Sequence, residues 1–249
     1  MTRSPFAKKF TACFVAGLTT IALLLLLGNG GTIRWFPPVV VFSLVGIVFL
    51  ISVSFPFIWQ HWEKIGKTDS EKMYVFLHAL IRATIAFNLA SFGWKKIVGL
   101  QFLVPPEIAG QPMNQQTGEW LTWYYFGYSP AFGLIIAAIQ IIGSWFLLFR
   151  KTSLAASFVL CAFMLNLTLI NIFYQMNAGA STQSIISTIG IIFLISWEYK
   201  KVLAFLFQTE QYSHIPFIHR PQLKNLLRVS VLVISLLFAL YLKYVWTPN

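Results

Sequence analysis

Charged residues are scarce in this chain. Asp, Glu, Lys and Arg together make up 10% of its 249 residues, and only seven residues are acidic. A soluble domain carries roughly 25% charged residues, so too few charges are present to cover a water-exposed surface. Cysteine is nearly absent as well: Cys13 and Cys161 each sit inside an apolar block. Two isolated thiols build neither a disulfide framework nor a thiolate metal site, and both read as small buried hydrophobes. Paired carboxylates, a phosphate-cradling glycine loop and a nucleophile elbow are also missing. Nothing here builds a hydrolase or an NTPase, and no catalytic residue is assigned.

What the chain does have is long apolar blocks. Hydrophobic residues make up 57% of it, and they come in runs of about 20, the length a hydrocarbon core demands. Seven blocks stand out: Phe10 to Leu27, Val39 to Trp59, Met73 to Trp94, Pro130 to Phe149, Leu154 to Tyr174, Gln183 to Trp197 and Leu226 to Val245. The expected fold is therefore all-α, a polytopic transmembrane helix bundle of about seven spans. The first block follows Arg3, Lys8 and Lys9 and is long, and Gly28-Asn29-Gly30-Gly31 offers no small-residue cleavage pattern. It is read as a retained span. Pro56 is expected to bend the end of the second.

The formal net charge is +11. The basic residues lie between apolar blocks and form no aromatic-interleaved face, so no nucleic-acid partner is read. They instead set the orientation. With the N-terminus inside, the inner connections and termini hold thirteen Lys and Arg: Arg3, Lys8, Lys9, Lys64, Lys67, Lys72, Arg150, Lys151, Lys200, Lys201, Arg220, Lys224 and Arg228. The outer ones hold four: Arg34, Lys95, Lys96 and Lys243. That asymmetry predicts a multi-pass protein of a cell inner membrane, with its N-terminus cytoplasmic and its C-terminus periplasmic or extracellular. The whole chain, residues 1–249, reads as a single membrane domain with the lipid bilayer as its first partner.

Two connections are long. The outer one, Lys95 to Tyr128, carries Trp120, Trp123, Tyr124, Tyr125 and Tyr128. Tyr and Trp at this density mark a membrane–water interface. The inner one, Glu198 to Lys224, opens with Lys200-Lys201-Val202-Leu203-Ala204-Phe205-Leu206-Phe207, a piece suited to lie flat as an amphipathic continuation of the sixth span.

Polar residues within spans are costly and therefore informative. Arg82 is the costliest, near the middle of the third span, with His78 one turn earlier. Ala79, Ala86, Ala90 and Gly93 share its face, a small-residue surface suited to helix packing. Gln140 in the fourth span shares a face with Gly133, Ala137 and Ser144. Asn166 and Asn171 lie on the fifth. The third, fourth and fifth spans are expected to meet around an Arg82–Gln140–Asn166 cluster. Two readings stay open: a hydrogen-bonded knot holding the bundle, or a cavity for a polar headgroup, a quinone carbonyl or an anion. His78 has no second ligand at metal spacing, so no metal site is assigned.

Three stretches carry a resemblance. The first is Ile81-Arg82, then Ser91-Phe92-Gly93-Trp94-Lys95-Lys96-Ile97-Val98-Gly99-Leu100-Gln101-Phe102. The second is Phe126-Gly127-Tyr128-Ser129-Pro130, followed by Gln140 and Leu147-Leu148-Phe149-Arg150-Lys151-Thr152. The third is Met164-Leu165-Asn166, then Asn171 and Tyr174. Over about half of its length, from the third span onward, the chain resembles the DoxX-like family of bacterial membrane proteins. The resemblance implies a four-helix core over residues 73–198. Residues 1–72 then add two spans, and residues 199–249 add an interfacial loop and a final span. It also implies a setting near quinone redox chemistry, since the family takes its name from a subunit associated with a thiosulfate:quinone oxidoreductase. Related sequences often carry an acidic residue where Gln140 stands, so a proton-transfer role at this position is weakened. The leading expectation is a non-catalytic membrane component that binds a lipid-like molecule or a membrane or periplasmic partner protein, with no cofactor of its own. A membrane subunit of a quinone-linked oxidoreductase, with quinone as ligand, is the first alternative. A small-molecule transporter is the second.

Overall fold

A computed structural model of the chain describes residues 5–29 and 36–207, with Gln222, Leu226, Ser230, Val233 and Ile234 beyond them. Six helices among the described residues are long and apolar enough to cross a membrane. They are α1 (Phe6–Leu27), α2 (Pro38–Lys64), α3 (Ser70–Ile97), α6 (Pro130–Leu148), α7 (Ser153–Phe173) and α8 (Ala178–Trp197). Between α3 and α6 lie a single turn, α4 (Pro106–Ala109), a 3-10 turn at Met113–Gln115, and the ten-residue α5 (Gly118–Gly127). The last described helix is α9 (Tyr199–Phe207). The protein is thus an all-α polytopic membrane bundle. The expected seventh span lies almost wholly outside the described residues. Residues 1–202 and 203–249 form two separate compact units, and the six spans all belong to the first.

Local chemistry starts and stops these helices. Asp69 caps α3 by accepting from Glu71 N at 3.0 Å, and Asn177 caps α8 by accepting from Ala180 N at 2.9 Å. Side-chain oxygens at such positions satisfy amides that have no partner within the helix. Pro38 and Pro130 open α2 and α6 at the first helical position, where proline's missing N–H costs nothing. Pro56 stays inside α2 and is buried.

The spans pack as a ring with one helix inserted. α3 lies most extensively along α6, α6 packs on α7, α7 on α8, and α8 returns to α3. α1 packs against α3 and α8, and α2 packs on α1. Close approach depends on small residues, as expected for helices in lipid. A Cβ on Gly93 of α3 would stand 3.0 Å from the Ala137 carbonyl oxygen of α6 and 2.7 Å from an Ile141 side-chain carbon. A Cβ on Gly17 of α1 would stand 2.3 Å from Ser52 Cβ of α2. The core gathers Ala12, Ala16, Ile81, Ile85, Leu147, Leu160, Met164 and Ile191. α2 by contrast turns most of its side chains outward, with Val39, Phe42, Leu50 and Phe57 among its exposed apolar residues.

The small-residue faces read from the sequence are the packing faces at Ala86, Gly93, Ala137, Gln140 and Ser144, all buried; Ala79 is exposed. α8 begins five residues before the block that hydropathy picks out, because its first turn, Ala178-Gly179-Ala180-Ser181-Thr182, carries only small and polar residues. Gln183 and Ser184 are buried against protein, not lipid.

Candidate functional site

One end of the bundle holds a large cavity. There α1, α3 and α7 finish and α6 and α8 begin, with α5 laid across. The cavity has a volume of about 780 Å³, within the roughly 300–1,000 Å³ typical of small-molecule sites. Its chemistry changes along its length.

The deep end, at the middle of the spans, is polar and uncharged. Asn88 of α3, Gln140 of α6, and Gln183 and Ser187 of α8 line it, and all four are buried. Asn88 Nδ2 donates to Gln183 Oε1 at 2.6 Å, and Gln183 Nε2 donates to the Ala22 carbonyl of α1 at 2.8 Å. The Ala22 carbonyl can only accept, so it fixes the orientation of both amides in the relay. Asn88 is left with its carbonyl oxygen, Oδ1, as the spare group. That oxygen is buried with no hydrogen-bond partner, and so is Gln140 Oε1. Buried polar atoms are rarely left unpaired, and both of these acceptors belong to residues that line the same cavity.

The walls are apolar: Phe92, Phe126, Phe132, Ile139, Phe163 and Leu167. α5 supplies part of them and is pressed firmly into place. A Cβ on Gly118 would stand 2.5 Å from the Tyr174 carbonyl oxygen at the end of α7, and Asn177 Nδ2 donates to Glu119 Oε1 at 2.9 Å.

The rim is cationic. Lys95 and Lys96 end α3 there, with Gln101 beside them. Lys96 is half-buried. Its ammonium donates to Gln101 Oε1 at 2.7 Å and to the Phe92 carbonyl at 3.4 Å, and lies 5.5 Å from the Phe102 ring centroid. No carboxylate pairs with Lys95 or Lys96 among the described residues. Phe102 has φ of +66°, a left-handed conformation that is a true outlier for a bulky side chain. Such strain costs on the order of 1–3 kcal/mol and persists only where the surroundings enforce it. Here the Phe102 ring stacks on Phe126, with centroids 5.5 Å apart, and meets Trp123 edge-on at 6.3 Å.

The residues singled out in the sequence divide between two ends of the bundle. Gln140, Asn166 and Asn171 line the cavity. Asn171 is partly committed to structure, since its Nδ2 donates to the Ala180 carbonyl at 3.1 Å. Trp123 of the aromatic segment lines the cavity too. Trp120 packs on Trp123 at 5.9 Å, Tyr124 is half-buried, and Tyr125 and Tyr128 are exposed. Arg82 and His78 lie elsewhere. Arg82 Nη1 reaches the Leu148 carbonyl at the far end of α6, at 3.4 Å. α3 and α6 run antiparallel, and Leu148 is eight residues, or about 12 Å, beyond Gln140. The Arg82–Gln140–Asn166 cluster expected from the sequence does not form. His78 sits against the Trp197 ring, with centroids 6.0 Å apart.

Asn88, Gln183 and Lys96 were missed as site residues. Asn88 lies six residues after Arg82 and one turn before Phe92 on the same span. On this span the charge of Arg82 stands out in the sequence, and the neutral amide six residues on does not. Also missed was a network at the far end. There Lys9, fully buried, pairs with Glu63 at 2.5 Å and donates to Gln60. Ser70 Oγ donates to Glu63 and accepts from Trp59 Nε1 at 3.0 Å.

The fold and cavity define a class: an integral membrane helix bundle with a cavity of about 780 Å³ at one end. No family model matches the chain, and no solved structure does. It is similar to a protein of Bacillus subtilis (strain 168) named uncharacterized protein YwoB. The two are 29% identical over 126 residues, which is 50% of this chain and 79% of that protein.

Proposed function

We propose that this protein is a non-catalytic membrane component that binds a lipid-like molecule in the cavity bounded by α3, α5, α6, α7 and α8. The observation that carries the reading is the gradient inside one 780 Å³ space: neutral amides deep, aromatic and aliphatic walls, lysines at the rim. A molecule with a polar head and an apolar body matches that gradient. The positive-inside count supports an N-terminus in the cytoplasm and a rim on the outer face of a bacterial inner membrane. The four-helix ring of α3, α6, α7 and α8 spans the residues that resemble the DoxX-like family, and membership of that family is part of this proposal.

Purification in a mild detergent, followed by mass spectrometry of extracted small molecules and co-purifying proteins, tests the reading. A stoichiometric lipid-like molecule, lost on Ile139→Trp, supports it. A stoichiometric quinone supports the quinone-linked alternative. A partner protein retained equally by Ile139→Trp, with no small molecule, overturns the cavity as the functional site.

A further inference from the structure

The cavity lining has an uneven charge. Lys95 and Lys96 contribute two positive charges, and none of the described residues that line the cavity is acidic. Lys96 is half-buried, with only neutral oxygens as partners. An ammonium withdrawn from water without a counter-charge is unfavourable, and an anion arriving at the rim relieves that cost. The other end discriminates in the opposite sense. The orphan oxygens there, Asn88 Oδ1 and Gln140 Oε1, are acceptors, and they repel an anionic group while accepting from a hydroxyl or amide. Asn88, Phe92 and Lys96 lie at successive helical turns of α3, so the two ends are about 12 Å apart along the axis.

Accepting the cavity as the ligand site, we infer that the ligand is an anionic amphiphile, with a carboxylate or phosphate head at Lys96 and Lys95 and an apolar body running between Phe92, Phe126, Ile139 and Phe163 toward Asn88. The strained Phe102 closes the side of the rim, where Lys96 lies against its ring. An aromatic face steadies the cation yet leaves its charge unneutralised, so the site stays ready for an anion. A neutral lipid of the same length fits the walls and gains nothing from the lysines.

The experiment uses the full chain in phosphatidylcholine nanodiscs and native mass spectrometry with three probes: oleate, monoolein and oleoyl-lysophosphatidylglycerol. Oleate and monoolein share a chain and differ in charge. The expected result is retention of at least one anionic probe about tenfold more tightly than monoolein. Lys96→Gln removes that preference and leaves monoolein unchanged, and Lys96→Arg restores most of it. Retention of oleate alone identifies a free carboxylate, and of the lysophospholipid alone a phosphate head; both support the inference. Equal binding of all three probes, unaltered by Lys96→Gln, overturns the anionic ligand and leaves lipid binding in place. Failure of every probe to bind, or binding that survives Ile139→Trp, overturns the cavity reading itself.

Discussion

Lys9 of α1 and Glu63 of α2 form an ion pair of 2.5 Å in which the lysine is completely buried. Taking one charge away leaves the other uncompensated in a low-dielectric setting. Lys9→Met or Glu63→Leu alone is expected to destabilise the bundle by about 3–5 kcal/mol. The double variant Lys9→Met/Glu63→Leu should recover much of that loss, because the desolvation penalties go together. Thermal unfolding in detergent of the four proteins measures the coupling. Additive losses would show that the two charges act independently.

The hydrogen bond from Asn88 to Gln183 joins α3 to α8 at the deep end of the cavity. Interhelical bonds of this kind in membranes are worth about 0.6 kcal/mol on average and up to about 1.7 kcal/mol. Asn88→Leu is therefore expected to lower stability only modestly, within that range. It should weaken retention of the cavity ligand more than it weakens the fold. Unfolding and ligand retention measured on the same preparation separate the two effects. A variant that unfolds outright makes the amide relay a structural strut first.

Much of the fold was legible because lipid imposes a simple rule: about 20 apolar residues to each crossing. α2, α3, α6 and α7 obey it, and their blocks match their helices closely. α8 is longer than its apolar block because its first turn, Ala178 to Thr182, carries only small and polar residues of low hydropathy. The candidate site was legible in part. Gln140, Asn166 and Asn171 were found as polar residues in apolar runs, and they do line one cavity. Arg82 was misjudged in depth, because α3 runs 28 residues from Ser70 and so places Arg82 beside the last turn of α6. Lys96 enters the sequence reading as a topology marker and within a stretch of resemblance, not as a site residue. Nothing in a single sequence shows that a lysine at a span end turns into a cavity without meeting an acid.

The orientation is checked by cysteine accessibility. Residues 67 and 115 are both exposed in connections, one between α2 and α3 and the other just before α5. Lys67→Cys and Gln115→Cys should label from opposite sides of a sealed membrane, with residue 115 reached from outside. Labelling of both from one side would overturn the charge-based topology.

Arg82 provides the last test, because two readings of it predict different outcomes. As the centre of a polar cluster with Gln140 and Asn166, it would be indispensable to the site. The structure instead gives it one hydrogen bond to a backbone carbonyl and leaves its Nε without a partner. Its side chain is only partly buried, and no ion pair offsets its charge among the described residues. Replacing such a group by an apolar one removes a desolvation cost together with a weak bond. Arg82→Leu is therefore expected to change stability by less than about 1 kcal/mol and to leave ligand retention in the cavity unaltered. Gln140→Leu, at the deep end, should reduce retention of a ligand that presents a hydroxyl or amide there. Native mass spectrometry of the ligand that co-purifies with the protein, alongside thermal unfolding, decides between them. Loss of ligand in Arg82→Leu at unchanged stability would couple the two ends of the bundle and move the functional centre back toward Arg82.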